Sequence, residues 1–204
     1  MDSDFYSVAI PEPTTILGVR LRPLSLGHLV ILHRLRSAFV TPGEPLTLHD
    51  LALSVLVCSL TYADGLTLFN LGNTPKLFSE WHRKLTRPTW RHRLGWRAPV
   101  EIDFEQKIQD FADYIKRHSE GPYYVYDQEN ATPMACPDVQ IVRVEIMEAF
   151  GISDAEIMDR SWALCLWDYV TLKAKSGSLR MTEKRDVDDA LKLANELAEK
   201  MRVE

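Results

Sequence analysis

The stretch that decides the fold is Thr47-Leu-His-Asp-Leu-Ala-Leu-Ser-Val-Leu-Val-Cys-Ser-Leu60. Its first four residues form a capping box in which Asp50 takes the place of the usual glutamate, so they predict the start of a helix. The helix behind this cap, about 48–60, is apolar on nearly every face. Such a helix belongs at the centre of a core or in a membrane, and this one is too short to span a bilayer. The sequence therefore predicts that helix 48–60 is the central helix of the core.

Helical patterns with their own start and stop signals recur on both sides of this segment. The further helices are predicted to start near Ser25, Thr74, Asp103, Asp138, Ser153, Trp162 and residue 183. Residues 15–21 alternate well enough for a short strand, and the tyrosines at 123, 124 and 126 favour another. The predicted fold is mainly α: an irregular helical bundle of about seven helices with a short N-terminal strand or hairpin.

The chain is predicted to have three parts. Residues 1–14 are short, polar and proline-bearing, and indicate an N-terminal arm, while residues 15–180 form a helical core domain. Helices 48–60 and 162–175 are each apolar round most of their circumference, so we expect both to be largely buried and in contact. Residues 181–204 form a C-terminal amphipathic helix with one narrow apolar stripe, which includes Leu191, Ala194 and Leu197.

Composition restricts the class of protein. The 204 residues carry a net charge of −5, which argues against generic nucleic-acid binding by the whole chain. The three cysteines are far apart and form no CxxC pair, so we expect buried free thiols in a reducing compartment. The acidic N-terminus lacks the order of a signal peptide, and no apolar run is long enough to cross a membrane. These features predict a cytoplasmic protein.

The sequence contains no recognisable catalytic or metal site. None of the six histidines has a second histidine or a cysteine at zinc-ligand spacing, and no phosphate-binding glycine loop or nucleophile elbow occurs. Glu145 and Glu148 share one face of a predicted helix and could act as a carboxylate pair, but a solvated acidic face explains them equally well. We therefore expect a non-enzymatic protein with no cofactor and no metal.

One segment, residues 81–97 (WHRKLTRPTWRHRLGWR), combines basic and aromatic residues without any acid. Since it carries +6 and the whole chain carries −5, the remaining residues carry −11. Three interpretations are open: aromatic core anchors with arginines paired to the protein's own acids, a docking surface for a protein, or a grip on nucleic acid. The candidate binding residues here are Trp81, Arg83, Lys84, Arg87, Trp90, Arg91, Arg93, Trp96 and Arg97.

Two blocks of the sequence resemble small proteins encoded in the tail modules of tailed phages and prophages. The first is Ile16-Leu-Gly-Val-Arg-Leu-Arg-Pro-Leu-Ser-Leu-Gly-His28, continuing to the helix Leu51-Ala-Leu-Ser-Val-Leu-Val-Cys58. The second is Phe150-Gly-Ile-Ser-Asp-Ala-Glu-Ile157, followed by Leu166-Trp-Asp-Tyr169. Proteins of this kind look like tail assembly chaperones, which are made beside the tape-measure protein and are absent from the finished virion. The resemblance covers about half the chain, and neither block is a catalytic signature.

The resemblance implies a chaperone that shields long, apolar-striped tape-measure helices during virion assembly. Such a protein needs exposed apolar surface, and it needs charged residues to set the register of the bound helix. It needs no catalytic activity. The C-terminal helix and residues 81–97 are the elements that could supply these. Two alternatives stay open: a structural head or tail component retained in the phage particle, and a nucleic-acid-binding accessory protein that uses residues 81–97.

Overall fold

The structure, a computed structural model, describes residues 2–70, 103–126, 136–182, 186, 188–189 and 191–195. These residues contain eight helices and two pairs of short antiparallel strands, which confirms the predicted mainly α fold. The helices are α1 (Asp2–Ala9), α2 (Leu26–Arg34), α3 (Leu48–Ser59), α4 (Tyr62–Asn70), α5 (Phe104–Ser119), α6 (Asp138–Phe150), α7 (Asp154–Asp159) and α8 (Trp162–Lys175). The described positions between 186 and 195 are helical as well. The helix predicted to start at Thr74 lies outside the described residues.

The strands form two separate antiparallel pairs, of which the first is a hairpin and the second joins distant parts of the chain. In the first, β1 (Thr15–Ile16) pairs with β2 (Val19–Arg20). The two turn residues, Leu17 and Gly18, both have positive φ, as a tight hairpin turn with the twist of the flanking strands requires. In the second, β3 (Tyr124–Tyr126) pairs with β4 (Leu179–Met181). The N-terminal hairpin and the tyrosine strand are therefore confirmed, whereas β4 was not predicted.

Side-chain caps begin the helices largely where the sequence predicts them. Ser25, Asp103 and Ser153 each accept a hydrogen bond from the backbone N–H three residues on. At α3 the hydroxyl of Thr47 accepts from the N–H of Asp50 as expected. The Asp50 carboxylate, however, accepts from the N–H of Ala38 at 3.0 Å and so ties the preceding loop to α3.

The N-terminal residues predicted to form an arm contain α1 instead. Their apolar residues are spaced for a helix face, because Phe5 and Val8 are three positions apart. Val8 is buried, and the ring of Phe5 meets Trp167 of α8 edge-on at 5.3 Å between centroids. Polar composition and two prolines indicated an arm, but the spacing of the few apolar residues decides the structure.

The prediction of a central α3 is confirmed on its inner side. Leu51, Val55 and Cys58 are fully buried in one continuous core cluster that also includes residues of α2, α5, α6, α7 and α8. Leu56, on the outer side of α3, is only half-buried. The helix is therefore less enclosed than its composition indicates, since part of its apolar surface lies at the edge of the core.

Helix α5 is the main packing link between α3 and α8, which were expected to pack directly on each other. It contacts both helices and contributes the fully buried Phe111 and Tyr114 to the core. Phe104, the first residue of α5, is 39% exposed. The buried face includes Tyr114 because its hydroxyl donates to the backbone oxygen of Arg22 at 2.8 Å, which satisfies its polar end.

The first prediction concerns the core round α3. Replacing Leu51, which is completely buried, by alanine should lower the free energy of unfolding by about 2–5 kcal/mol, because it removes buried methylenes and leaves a cavity. Leu46, which is 45% exposed, provides the matched control, and its replacement by alanine should cost under about 1 kcal/mol. Urea unfolding followed by circular dichroism measures both. Equal losses for the two variants would contradict the assignment of the core.

A buried histidine holds the start of α2. The backbone N–H of Ser25 donates to Nδ1 of His28 at 3.0 Å, so this nitrogen carries no proton. The other ring nitrogen, Nε2, then donates to the backbone oxygen of Leu60 at 2.8 Å. His28 is therefore neutral in the folded protein, and burial lowers its pKa below the ordinary value of 6.5. Burial also lowers the pKa of His118, to about 4.

The second prediction follows from these two histidines. Between pH 6.5 and about 4 the unfolded chain binds more protons at these positions than the folded chain, so the free energy of unfolding should fall as the pH falls. The substitution His118→Phe keeps a ring against Tyr114 and removes one titrating group, and it should make the fall shallower. His33→Gln, at an exposed position of α2, is the control. An unchanged slope in His118→Phe, from urea unfolding at several pH values, would contradict this account.

Candidate functional site

Most of the binding residues predicted from the sequence lie outside the described part of the chain. This applies to all nine candidates in residues 81–97 and to Leu197. Leu191 and Ala194 are described, and both are exposed on helical residues, with Leu191 57% exposed. Leu193, which the predicted stripe did not include, is 59% exposed. These C-terminal residues therefore present leucine side chains to the solvent.

A pocket of about 460 Å³ lies between α6, α8 and the loop that follows α5. Helix α6 supplies one wall through Ile141 and Val142. Helix α8 supplies the opposite wall through Trp162, Leu166, Tyr169 and Val170. The loop closes one end with Glu120, Gly121, Pro122, Tyr123 and Tyr124, and Asp138 lies at the start of α6. The walls are thus mainly aliphatic and aromatic.

Close packing holds the walls of this pocket in place. A side chain at Gly121 would place its Cβ 3.1 Å from Cβ of Leu166, so the loop can approach α8 this closely only with glycine or after a small shift. The far ends of α6 and α8 are joined by an ion pair in which Nζ of Lys173 lies 2.6 Å from the carboxylate of Glu145. The backbone N–H of Trp162 donates to the oxygen of Leu24, which anchors the start of α8.

Glu145 and Glu148, the possible carboxylate pair, lie in different environments in the structure. Glu145 is bound to Lys173 and shares α6 with the exposed Glu148. A carboxylate held by a lysine on a neighbouring helix stabilises the packing of α6 on α8. The geometry therefore gives these residues a structural and a solvated role, respectively.

The charged residues that line the pocket are both acidic. Glu120 lies at the C-terminal cap of α5 and Asp138 in the first turn of α6. Among the residues that the structure describes, no lysine, arginine or histidine lines the pocket. Glu120 ends one helix and Asp138 begins the next, and the fold brings both residues to one pocket.

The described residues hold no group of three or more histidine, cysteine or acidic side chains that could bind a metal ion. The two buried cysteines are also poor nucleophiles, because burial raises the pKa of both Cys58 and Cys165 to about 12. Tyr114, whose pKa burial also raises, uses its hydroxyl in the core. A pocket with mainly apolar walls and two acidic residues in its lining can bind a ligand or a protein partner.

Sequence reasoning did not identify this pocket as a site. The sequence indicated Tyr123 and Tyr124 only as possible strand residues and Trp162 only as part of an apolar helix, while Leu166 and Tyr169 belonged to that helix and to the second block of the resemblance. The available signal was the density of aromatic residues in two separate segments, 123–126 and 162–169. Aromatic residues in an apolar helix are usually core residues, and only the tertiary structure shows that these two segments share a cavity.

Comparison with protein families, with curated proteins and with solved structures finds no match to this chain. In the part of the chain that the structure describes, none of the helices has both the length and the apolar character needed to cross a membrane.

The third prediction concerns the buried thiols. In the folded protein Cys58 and Cys165 should react with a disulfide reagent at neutral pH at least about 100-fold more slowly than after unfolding, because almost no thiolate forms at a pKa of about 12. The variant Cys136→Ser leaves only these two thiols. A fast reaction of the folded variant, followed by absorbance, would contradict the buried and unreactive state.

Proposed function

We propose that this chain is a non-catalytic tail assembly chaperone of the phage type, which binds an apolar-striped helix of a tape-measure protein in the host cytoplasm. The observation that carries the proposal is the pocket between α6, α8 and the loop 120–124. The resemblance of residues 16–28, 51–58, 150–157 and 166–169 to tail-module proteins supports the same class of function and supplies the identity of the partner.

The shape and lining of the pocket suit a helix with large side chains at regular spacing. Helices that bind in grooves insert a few anchor side chains, and those anchors supply most of the binding energy. Tyr123, Tyr124 and Val125 lie at or beside the pocket and are 37%, 39% and 47% exposed. A bound helix would cover this apolar surface, and its anchors would enter between Ile141 and Leu166.

The exposed leucines of the C-terminal helical residues offer a second contact for the same partner. Leu191 and Leu193 are each more than half exposed, and Leu191 belongs to the predicted apolar stripe, whereas Leu193, two residues on, points to another face of the helix. Asp186, Asp188 and Asp189 are exposed on the same helical stretch and keep it hydrated in the absence of a partner. An amphipathic helix of this kind can pair with an apolar stripe on a long helical partner.

The fourth prediction tests the pocket as the binding site. The double variant Tyr123→Ala/Tyr124→Ala should bind the tape-measure protein of the same gene cluster at least about tenfold more weakly, because it removes two aromatic contacts of the partner. Calorimetry with a purified tape-measure segment measures the affinity, and circular dichroism checks the fold. The control is Tyr6→Ala on α1, which removes a tyrosine that is 63% exposed and does not line the pocket.

Two outcomes would count against the proposal. Equal affinity of the double variant and the wild type would show that the partner binds elsewhere. Detection of the protein in purified virions would favour the structural head or tail component, because an assembly chaperone leaves before the particle is complete.

A further inference from the structure

We infer that the pocket accepts a cationic side chain, a lysine or arginine of the bound helix, together with its apolar neighbours. This inference rests on the proposed function in taking the occupant to be a protein helix. It adds what the resemblance does not supply, namely the chemistry that the pocket selects in its partner.

The first observation is the charge of the lining. Glu120 and Asp138 line the pocket, and no basic residue is among the described residues that line it. The nearest basic residues along α5, Lys116 and Arg117, are exposed on its last turn and do not line the pocket. A cation entering the pocket would therefore gain favourable electrostatic interactions, whereas an acidic side chain would be repelled.

The second observation is the aromatic content of the walls. Trp162, Tyr123, Tyr124 and Tyr169 all line the pocket. The faces of such rings attract ammonium and guanidinium groups, most strongly where water is partly excluded. One contact of this kind is already present, since Nζ of Lys173 lies 5.6 Å from the centre of the Tyr169 ring. The charge of Lys173 is itself neutralised by Glu145, so it does not oppose a second cation.

The third observation is the orientation of the two helix ends at the pocket. The C-terminal end of α5 lies at Glu120, and the carbonyl groups of a helix C-terminus carry partial negative charge. The N-terminal end of α6 carries partial positive charge, which opposes a cation and offsets part of the attraction of Asp138 in its first turn. Glu120 and the C-terminal end of α5 are therefore the main source of attraction. The net field in the pocket thus favours a cation.

Lysine and arginine also suit the apolar walls, because their aliphatic stems pack on apolar surface while the charged end reaches polar groups. In the pocket the stem would lie between Ile141 and Leu166, with the charged end directed to Glu120 and Asp138. A purely apolar side chain would leave both carboxylates without a partner from the bound helix. The pocket therefore distinguishes partners by charge as well as by shape.

The test uses the full chain and four helical peptides that are identical except for one central anchor: lysine, arginine, norleucine or glutamate. Norleucine has nearly the shape of lysine without its charge. Calorimetry at low salt should give about fivefold to tenfold tighter binding for the lysine and arginine peptides than for norleucine, and the weakest binding for glutamate. Raising the salt concentration to 0.5 M should reduce these differences, because exposed charges are then screened.

Substitutions of the two carboxylates locate the effect. Glu120→Gln/Asp138→Asn should remove most of the preference for lysine over norleucine while leaving the binding of the norleucine peptide nearly unchanged. Glu148→Gln removes one charge from an exposed position of α6 outside the pocket and should leave the preference intact. Persistence of the preference in the double variant would place the cation elsewhere and overturn the inference.

The remaining outcomes separate this inference from the proposed function. Equal binding of the lysine, norleucine and glutamate peptides overturns the inference. If the same protein preparation still captures the tape-measure protein, the proposed function stands. Charge-selective peptide binding without capture of the tape-measure protein supports the inference and contradicts the proposed partner. Failure of all four peptides to bind would mean that another part of the chain or a second copy fills the pocket, which also overturns the inference.

Discussion

The residues at the starts of α2 and α8 pair through their backbones, with Ser25 opposite Ser161 in an antiparallel bridge. The N–H of Trp162 donates to the oxygen of Leu24 at 2.8 Å, and the N–H of Leu26 donates to the oxygen of Arg160 at 3.2 Å. Leu24 and Leu26 are completely buried, so these hydrogen bonds are shielded from water and cannot be exchanged for bonds to it. The next residue, Gly27, permits this close approach because it has no side chain. A Cβ at this position would lie 2.7 Å from the backbone oxygen of Met158. This pairing fixes α2 against α7 and sets the point at which α8 begins.

The position of the pocket follows from that constraint. Trp162 belongs to the paired segment and to the lining of the pocket, so the same backbone contact that joins two distant parts of the chain also orients one wall. The core residues of α5, among them Phe111 and Tyr114, place the end of that helix and the loop after it at the other side. The proposed binding surface is therefore built on helices as well as on a loop, which would suit the recognition of a helix without large rearrangement.

The sequence predicted the local structure well because capping residues and apolar spacing act over a few positions. Ser25, Asp103 and Ser153 mark helix starts by hydrogen bonds within one turn, and Gly151 ends α6 with a positive φ. Tertiary relations were not accessible in the same way. Nothing in the pattern of α3 and α8 shows that α5 packs between them, and Glu120 and Asp138 meet only after folding. Helix α1 was missed because the composition of residues 1–14 outweighed the spacing of their few apolar residues.

The central claim is that a partner helix binds at the pocket between α6, α8 and the loop 120–124. Hydrogen–deuterium exchange of the chain, alone and with a saturating tape-measure segment, tests it most directly. We expect added protection in residues 120–126, 138–142 and 162–170, with little change in α3, which is already buried. Protection confined to residues 81–97, with none at the pocket, would contradict the claim and favour the basic-aromatic segment as the binding site.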